Sequence, residues 1–181
     1  MMNEKIIIGK HTLESLTSGM YSDSYVVFRE YIQNSVDSID AAIKSGILMS
    51  GEEQIIVQLR PTEQEIIIRD NGTGIACNEA EKILISIGNS QKTSESSRGF
   101  RGIGRLAALS YCKKLVFQTS FLGESKATTI TIDADKLSDL LLDSSDIDAS
   151  VVDVLQKVYE VKTKPEKENA HYFIVRLIGV D

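Results

Sequence analysis

Apolar and polar positions along the chain switch between a helical period and a strand alternation, and each switch predicts an element. Residues 22–46, SDSYVVFREYIQNSVDSIDAAIKSG, predict one long helix. Ser22, Asp23 and Ser24 offer capping oxygens to its first free amides, no proline interrupts it, and Gly46 is placed to close it. Val26, Val27, Ile32, Val36, Ile39 and Ile43 supply its apolar surface. Residues 54–60 and 65–70 are rich in isoleucine and valine around a Pro61-Thr62-Glu63-Gln64 turn, which predicts a β-hairpin. Residues 114–121 and 126–133 alternate as a second hairpin turning at Gly123-Glu124. Residues 154–162 and 172–178 read as a third. Shorter helices are predicted at 11–17, at 78–87 with Asn78 as cap and Gly88 as stop, at 102–112, and at 136–142. The last lies in an acidic stretch, 133–153, read as a surface insertion. Residues 88–101, GNSQKTSESSRGFR, have no apolar period and are predicted to be mobile.

Strands arriving as hairpins between about three substantial helices predict an α+β fold. The expected architecture is a two-layer sandwich, a mainly antiparallel mixed sheet with helices on one face. The 181 residues suit a single domain with a sizeable core, 1–181. Because the chain stops directly after a strand pattern, we expect it to be the N-terminal part of a longer protein.

Composition narrows the function classes. A net charge of −6 argues against a general nucleic-acid surface on this domain. Cys77 and Cys112 form neither a disulfide framework nor a C-x-x-C motif, so reduced thiols and a cytoplasmic location are expected. No apolar run reaches the roughly 20 residues of a membrane span. His11 and His171 have no clustered ligands, which argues against a protein-built zinc site.

Three stretches carry candidate chemistry. On the long helix, Glu30, Asn34 and Asp37 follow at intervals of four and three residues and so share one face. Such polar groups on a helix shaped for burial need partners, and bonds to neighbouring backbone are the structural reading. Next, Asp70-Asn71-Gly72-Thr73-Gly74 follows a strand. Its glycines let a planar ligand approach the backbone, and Asp70 offers an acceptor for an amino group; a tight turn is the structural alternative. Third, Gly99-Phe100-Arg101-Gly102-Ile103-Gly104 leads into a predicted helix, an arrangement that frees amides for a phosphate. Lys92, Arg98, Arg101 and Arg105 surround it in an otherwise acidic chain. The spacing is neither the dinucleotide-binding GxGxxG nor a Walker P-loop.

In this order the three stretches resemble the Bergerat-fold ATPases: DNA gyrase B subunits, ninety-kilodalton heat-shock chaperones, sensor histidine kinases and MutL proteins. The resemblance implies ATP and Mg²⁺ as ligands, slow ATP hydrolysis, and closure of a lid at about 88–101 that drives a conformational cycle in a larger protein. It implies Glu30 as general base, Asn34 as the protein's magnesium ligand, and Asp70 as acceptor for the adenine amino group. Gly72 and Gly74 would flank adenine and ribose, and Lys92 would reach a phosphate from the lid. Gly99, Arg101, Gly102, Ile103 and Gly104 would wrap the phosphates. Asp37 is left as structural. Residues 87–92 are similar to the chaperones, and 99–102 to the mismatch-repair branch. Glu30 argues against a histidine kinase. Where the family carries Gly-Thr before its last strand, this chain has Asn169-Ala170-His171-Tyr172, a departure at the last adenine contact. The alternative is a nucleotide-gated binding or ATP-dependent dimerisation module with little hydrolysis. Implied partners are ATP and ADP, together with a protein partner or the remaining domains of the same chain, and no membrane.

Overall fold

The computed structural model describes residues 24–85, 104–142 and 151–180. Helix α1 (Ser24–Lys44) is the long predicted helix. Its C-terminus closes as a Schellman motif, in which Gly46 N–H donates to Ile43 O at 3.0 Å and Ile47 N–H to Ala42 O at 2.8 Å. Gly46 takes φ 76°, a left-handed value that glycine adopts without strain. The buried stripe of α1 is Val27, Tyr31, Ser35, Ile39 and Ala42. It therefore runs through a tyrosine, a serine and an alanine that the aliphatic pattern did not mark.

The remaining elements are β1 (Ile55–Arg60), β2 (Glu65–Asp70), α2 (Cys77–Ile85), a 3-10 helix (Gly104–Ser110), β3 (Lys114–Ser120), β4 (Lys126–Asp133), α3 (Ala134–Leu142), α4 (Val151–Val158), β5 (Tyr159–Pro165) and β6 (Tyr172–Ile178). The six strands form one sheet in the order β1-β2-β6-β3-β4-β5. Every adjacent pair in it is antiparallel. One face carries Ile66, Ile68, Val175, Leu177, Leu115, Phe117, Ile130 and Ile132, all packed against the helices. The other face is free of helices among the described residues. It carries polar groups such as Glu65, whose carboxylate accepts from Arg176 Nε at 2.7 Å and pairs with Arg60 at 3.2 Å. The α+β sandwich expected from the hairpin pattern is thus present.

The structure corrects four details. Residues 151–158 form a helix rather than the start of a strand: Val151, Val154, Leu155 and Val158 sit at helical spacing, and the last three are buried. The stretch 133–153, read as a surface insertion, also contributes to the core through Ala134 and Leu137, both buried. Strands β5 and β6 do not pair as a hairpin. Instead β5 lies on the edge beside β4, and β6 returns to the middle between β2 and β3. The heptapeptide YFIVRLI suits that central place because it is apolar at most positions on both faces. The element after Gly104 is a seven-residue 3-10 helix, not an α-helix. Finally, Asn78 does not cap α2. The carboxylate of Glu124, in the β3–β4 turn, accepts from Cys77 N–H at 3.0 Å and occupies the helix N-terminus from a distance of 47 residues in sequence.

Candidate functional site

The foot of the site is Asp70 at the end of β2. Its register partner on β6 is Phe173, so it points to the helix-covered side, where it is 2% exposed. Burial pushes its carboxyl from 3.8 up to about 6, against the pull of the Gly72 amide, a Ser35 hydroxyl bond and Arg69. Gly72 N–H donates to Asp70 Oδ1 at 3.0 Å. Ser35 belongs to α1, so the carboxylate is gripped between its own loop and the helix that carries Glu30 and Asn34.

The glycine loop is wedged between α1 and the end of β3. A Cβ on Gly72 would collide with Ser38 of α1, and one on Gly74 would strike the carbonyl of Ser120. Gly74 also takes φ 65°. The glycines are therefore explained first by the protein's own packing, which brings the loop onto the helix. Ser38 Oγ accepts Thr73 N–H at 3.1 Å. Beyond the loop, Thr119 Oγ1 accepts Ile75 N–H at 2.7 Å and donates to Tyr172 O at 3.1 Å. Thr119 and Ser38 were absent from the sequence-derived site; their signal is only that both are small hydroxyls at positions where a bare backbone must be met.

On α1 itself, Gln33 Nε2 donates to Asp37 Oδ1 at 3.0 Å, the structural role expected for Asp37. Glu30 and Asn34 are half-buried. Among the described residues neither side chain has a hydrogen-bond or ion-pair partner. The end of the third stretch lies beside the same helix. Tyr31 OH donates to Arg105 O at 2.6 Å, and Arg105 Nε donates to Leu84 O at 3.0 Å. The start of the 3-10 helix is therefore packed against α1 at Tyr31. Lys92, Gly99, Arg101, Gly102 and Ile103 lie outside the described residues. A seven-residue 3-10 helix has little dipole, so any grip on phosphate at Gly104 rests on freed amides.

A cavity of about 830 Å³ lies on the helix-free face, lined by Arg69, Asn71, Gln118, His171 and Tyr172 among others. Glu30, Asn34 and Asp70 do not line it. It abuts the back of the glycine loop through Asn71 and His171.

Comparison with known proteins identifies the family. Residues 21–163 match the family described as histidine kinase-, DNA gyrase B-, and HSP90-like ATPase. The chaperone protein HtpG of Geobacter metallireducens is 28% identical over 137 residues, 65% of this chain and 21% of that protein. HtpG of Legionella pneumophila is 28% identical over 120 residues, 59% of this chain and 19% of its own length. HtpG of Salinispora tropica is 24% identical over 139 residues, covering 66% and 22%. The aligned part thus spans about a fifth of these relatives. With more than half its length matched, this chain belongs to the histidine kinase-, DNA gyrase B- and HSP90-like ATPase family.

Proposed function

We propose that this chain is an Mg-ATP-binding and ATP-hydrolysing module, with the nucleotide seated between α1 and residues 70–74. The observation that carries the proposal is the contrast on one helix face: Asp37 is paired, whereas Glu30 and Asn34 are half-buried with no partner among the described residues. Both are reachable from solvent and, among the described residues, engage no neighbouring side chain or backbone, so an acceptor and an amide stand available to a ligand on that face.

The residues fit the ligands. Asp70 is an acceptor-only carboxylate when ionised, in a dry site, suited to the exocyclic amino group of adenine. Asn34 offers a neutral amide oxygen, of the hard-donor type that magnesium prefers alongside phosphate and water. Bound there, the ion would neutralise phosphate charge. Glu30 lies one turn earlier on the same face, where it would orient the attacking water and take its proton as the γ-phosphate leaves. Ser35 and Ser38 tie that helix to the adenine loop, so base recognition and hydrolysis share one rigid element. Lys92, Arg101 and the glycines from 99 to 104 would complete the phosphate side. We further propose, from the HtpG relatives, that this module belongs to a larger protein and that its ATP state drives a conformational cycle there.

Isothermal titration with Mg-ATP, paired with phosphate release, tests the reading. Glu30→Ala is expected to keep nucleotide affinity within about threefold and to lose turnover by about 100-fold or more. Unchanged turnover in Glu30→Ala would remove the base assignment. Tight binding with no detectable turnover in the parent chain would favour the nucleotide-gated dimerisation module instead.

A further inference from the structure

We propose that His171 is a positioning residue for base recognition, bracing Gly72 from the sheet side so that Asp70 is held in register for adenine; this rests on the nucleotide reading above. The Gly72-Thr73 step is braced from both sides. On the helix side Ser38 Oγ takes Thr73 N–H at 3.1 Å and lies 3.3 Å from Thr73 Oγ1. On the sheet side His171 Nδ1 lies 2.9 Å from Gly72 O. A carbonyl oxygen only accepts, so this bond places the proton on Nδ1. Gly72 thus spends its N–H on the Asp70 carboxylate and its C=O on the imidazole. A displacement of Gly72 must move both.

The imidazole is itself fixed by its neighbours. Ser120 Oγ donates to Ala170 O at 3.1 Å, and Thr119 Oγ1 donates to Tyr172 O at 3.1 Å. The backbone on either side of His171 is therefore anchored to the end of β3. His171 also borders the open cavity on the helix-free face. Water can reach Gly72 O from there once the ring is gone, so loss of the brace loosens the loop more than it unfolds the domain. The effect should fall on the base and spare the phosphates, which the proposed function assigns to Asn34 on α1 and not to the Asp70 loop.

The test compares His171→Ala and His171→Asn with the parent chain, titrating Mg-ATP and Mg-tripolyphosphate and following amide hydrogen exchange at residues 72–75 without ligand. His171→Ala is expected to weaken Mg-ATP about fivefold, to leave tripolyphosphate unchanged, and to speed exchange at Gly72 and Thr73. His171→Asn, whose Nδ2 stands where the imidazole Nδ1 did, is expected to restore ATP affinity to within about twofold. Equal losses for both ligands, or an unaffected Mg-ATP titration in His171→Ala, would overturn the proposal. A parent chain that retains no ATP refutes the nucleotide reading instead. Unchanged exchange at Gly72 and Thr73 in His171→Ala overturns the brace by itself.

Discussion

Replacing Asp70 by asparagine removes a charge that the fold buries at a loss. Its carboxyl titrates at about 6 in the folded chain against an ordinary 3.8, with burial the leading cause. The folded state therefore holds this proton more tightly than the unfolded chain does. Stability from this group is greatest at pH below 3.8, falls as the pH rises through about 6, and is flat above both values. At about 1.36 kcal/mol per pH unit, the loss is on the order of 3 kcal/mol in all, of which about 2 falls between pH 4.5 and 7.5. Asparagine keeps an oxygen for the Gly72 amide and carries no charge, and any cost of burying its extra N–H is the same at every pH. The assay is urea unfolding of the parent chain and Asp70→Asn at several pH values between 4.5 and 7.5, read as the difference between the two. The change of that difference with pH cancels the amide penalty and every other titration common to both. The difference should shift by about 2 kcal/mol in favour of Asp70→Asn as the pH rises. A difference that is constant with pH, or that shifts the other way, would refute the reasoning. The functional counterpart is that Asp70→Asn turns an acceptor into a mixed group and loses Mg-ATP affinity by at least tenfold, about the value of one charged hydrogen bond.

Four further outcomes are expected. Gly74→Ala sets a Cβ against the Ser120 carbonyl at φ 65° and should cost about 3 kcal/mol or more in urea unfolding. Gly46→Ala, also left-handed but with open space around it, should cost only about 1 kcal/mol in the same assay. Glu124→Ala uncaps α2 from a distant turn and should cost about 1 kcal/mol, with faster amide exchange in the first turn of that helix. Burial pushes the Cys112 thiol up to about 12, so a native-state thiol assay at pH 8 should label Cys77 well before Cys112, and both together in denaturant.

Local signals made much of this molecule legible. The long helix, its glycine stop, the two tight hairpins and the strand before Asp70 follow from period, capping and turn chemistry that neighbours in sequence supply. What was missed depends on distant partners. Nothing near Cys77 announces that Glu124 will cap α2. Val154, Leu155 and Val158 fit strand composition as well as a helical stripe, and only packing beside α3 decides. The departure of β6 from its hairpin partner to the sheet centre is a choice among pairings that a single strand cannot encode. At the site, the polar row of α1 and the acid before the glycines stood out because those residue types are unusual in such settings. The serines and the threonine that bind the loop to α1 and β3 did not, since small hydroxyls occur everywhere. The glycines of the loop read equally as room for a ligand and as a tight turn, and what the sequence does not announce is that Ser38 and the Ser120 carbonyl lie against two of them.

The central claim is that one nucleotide bridges α1 and the loop after β2. Isothermal titration of this chain with Mg-ATP tests it most directly, run beside Asp70→Asn and Asn34→Ala. The account predicts one site per chain in the parent, affinity lost in Asp70→Asn with or without magnesium, and a loss in Asn34→Ala that disappears when magnesium is omitted. No heat of binding in the parent chain at millimolar ATP, or equal affinity in all three proteins, would contradict it.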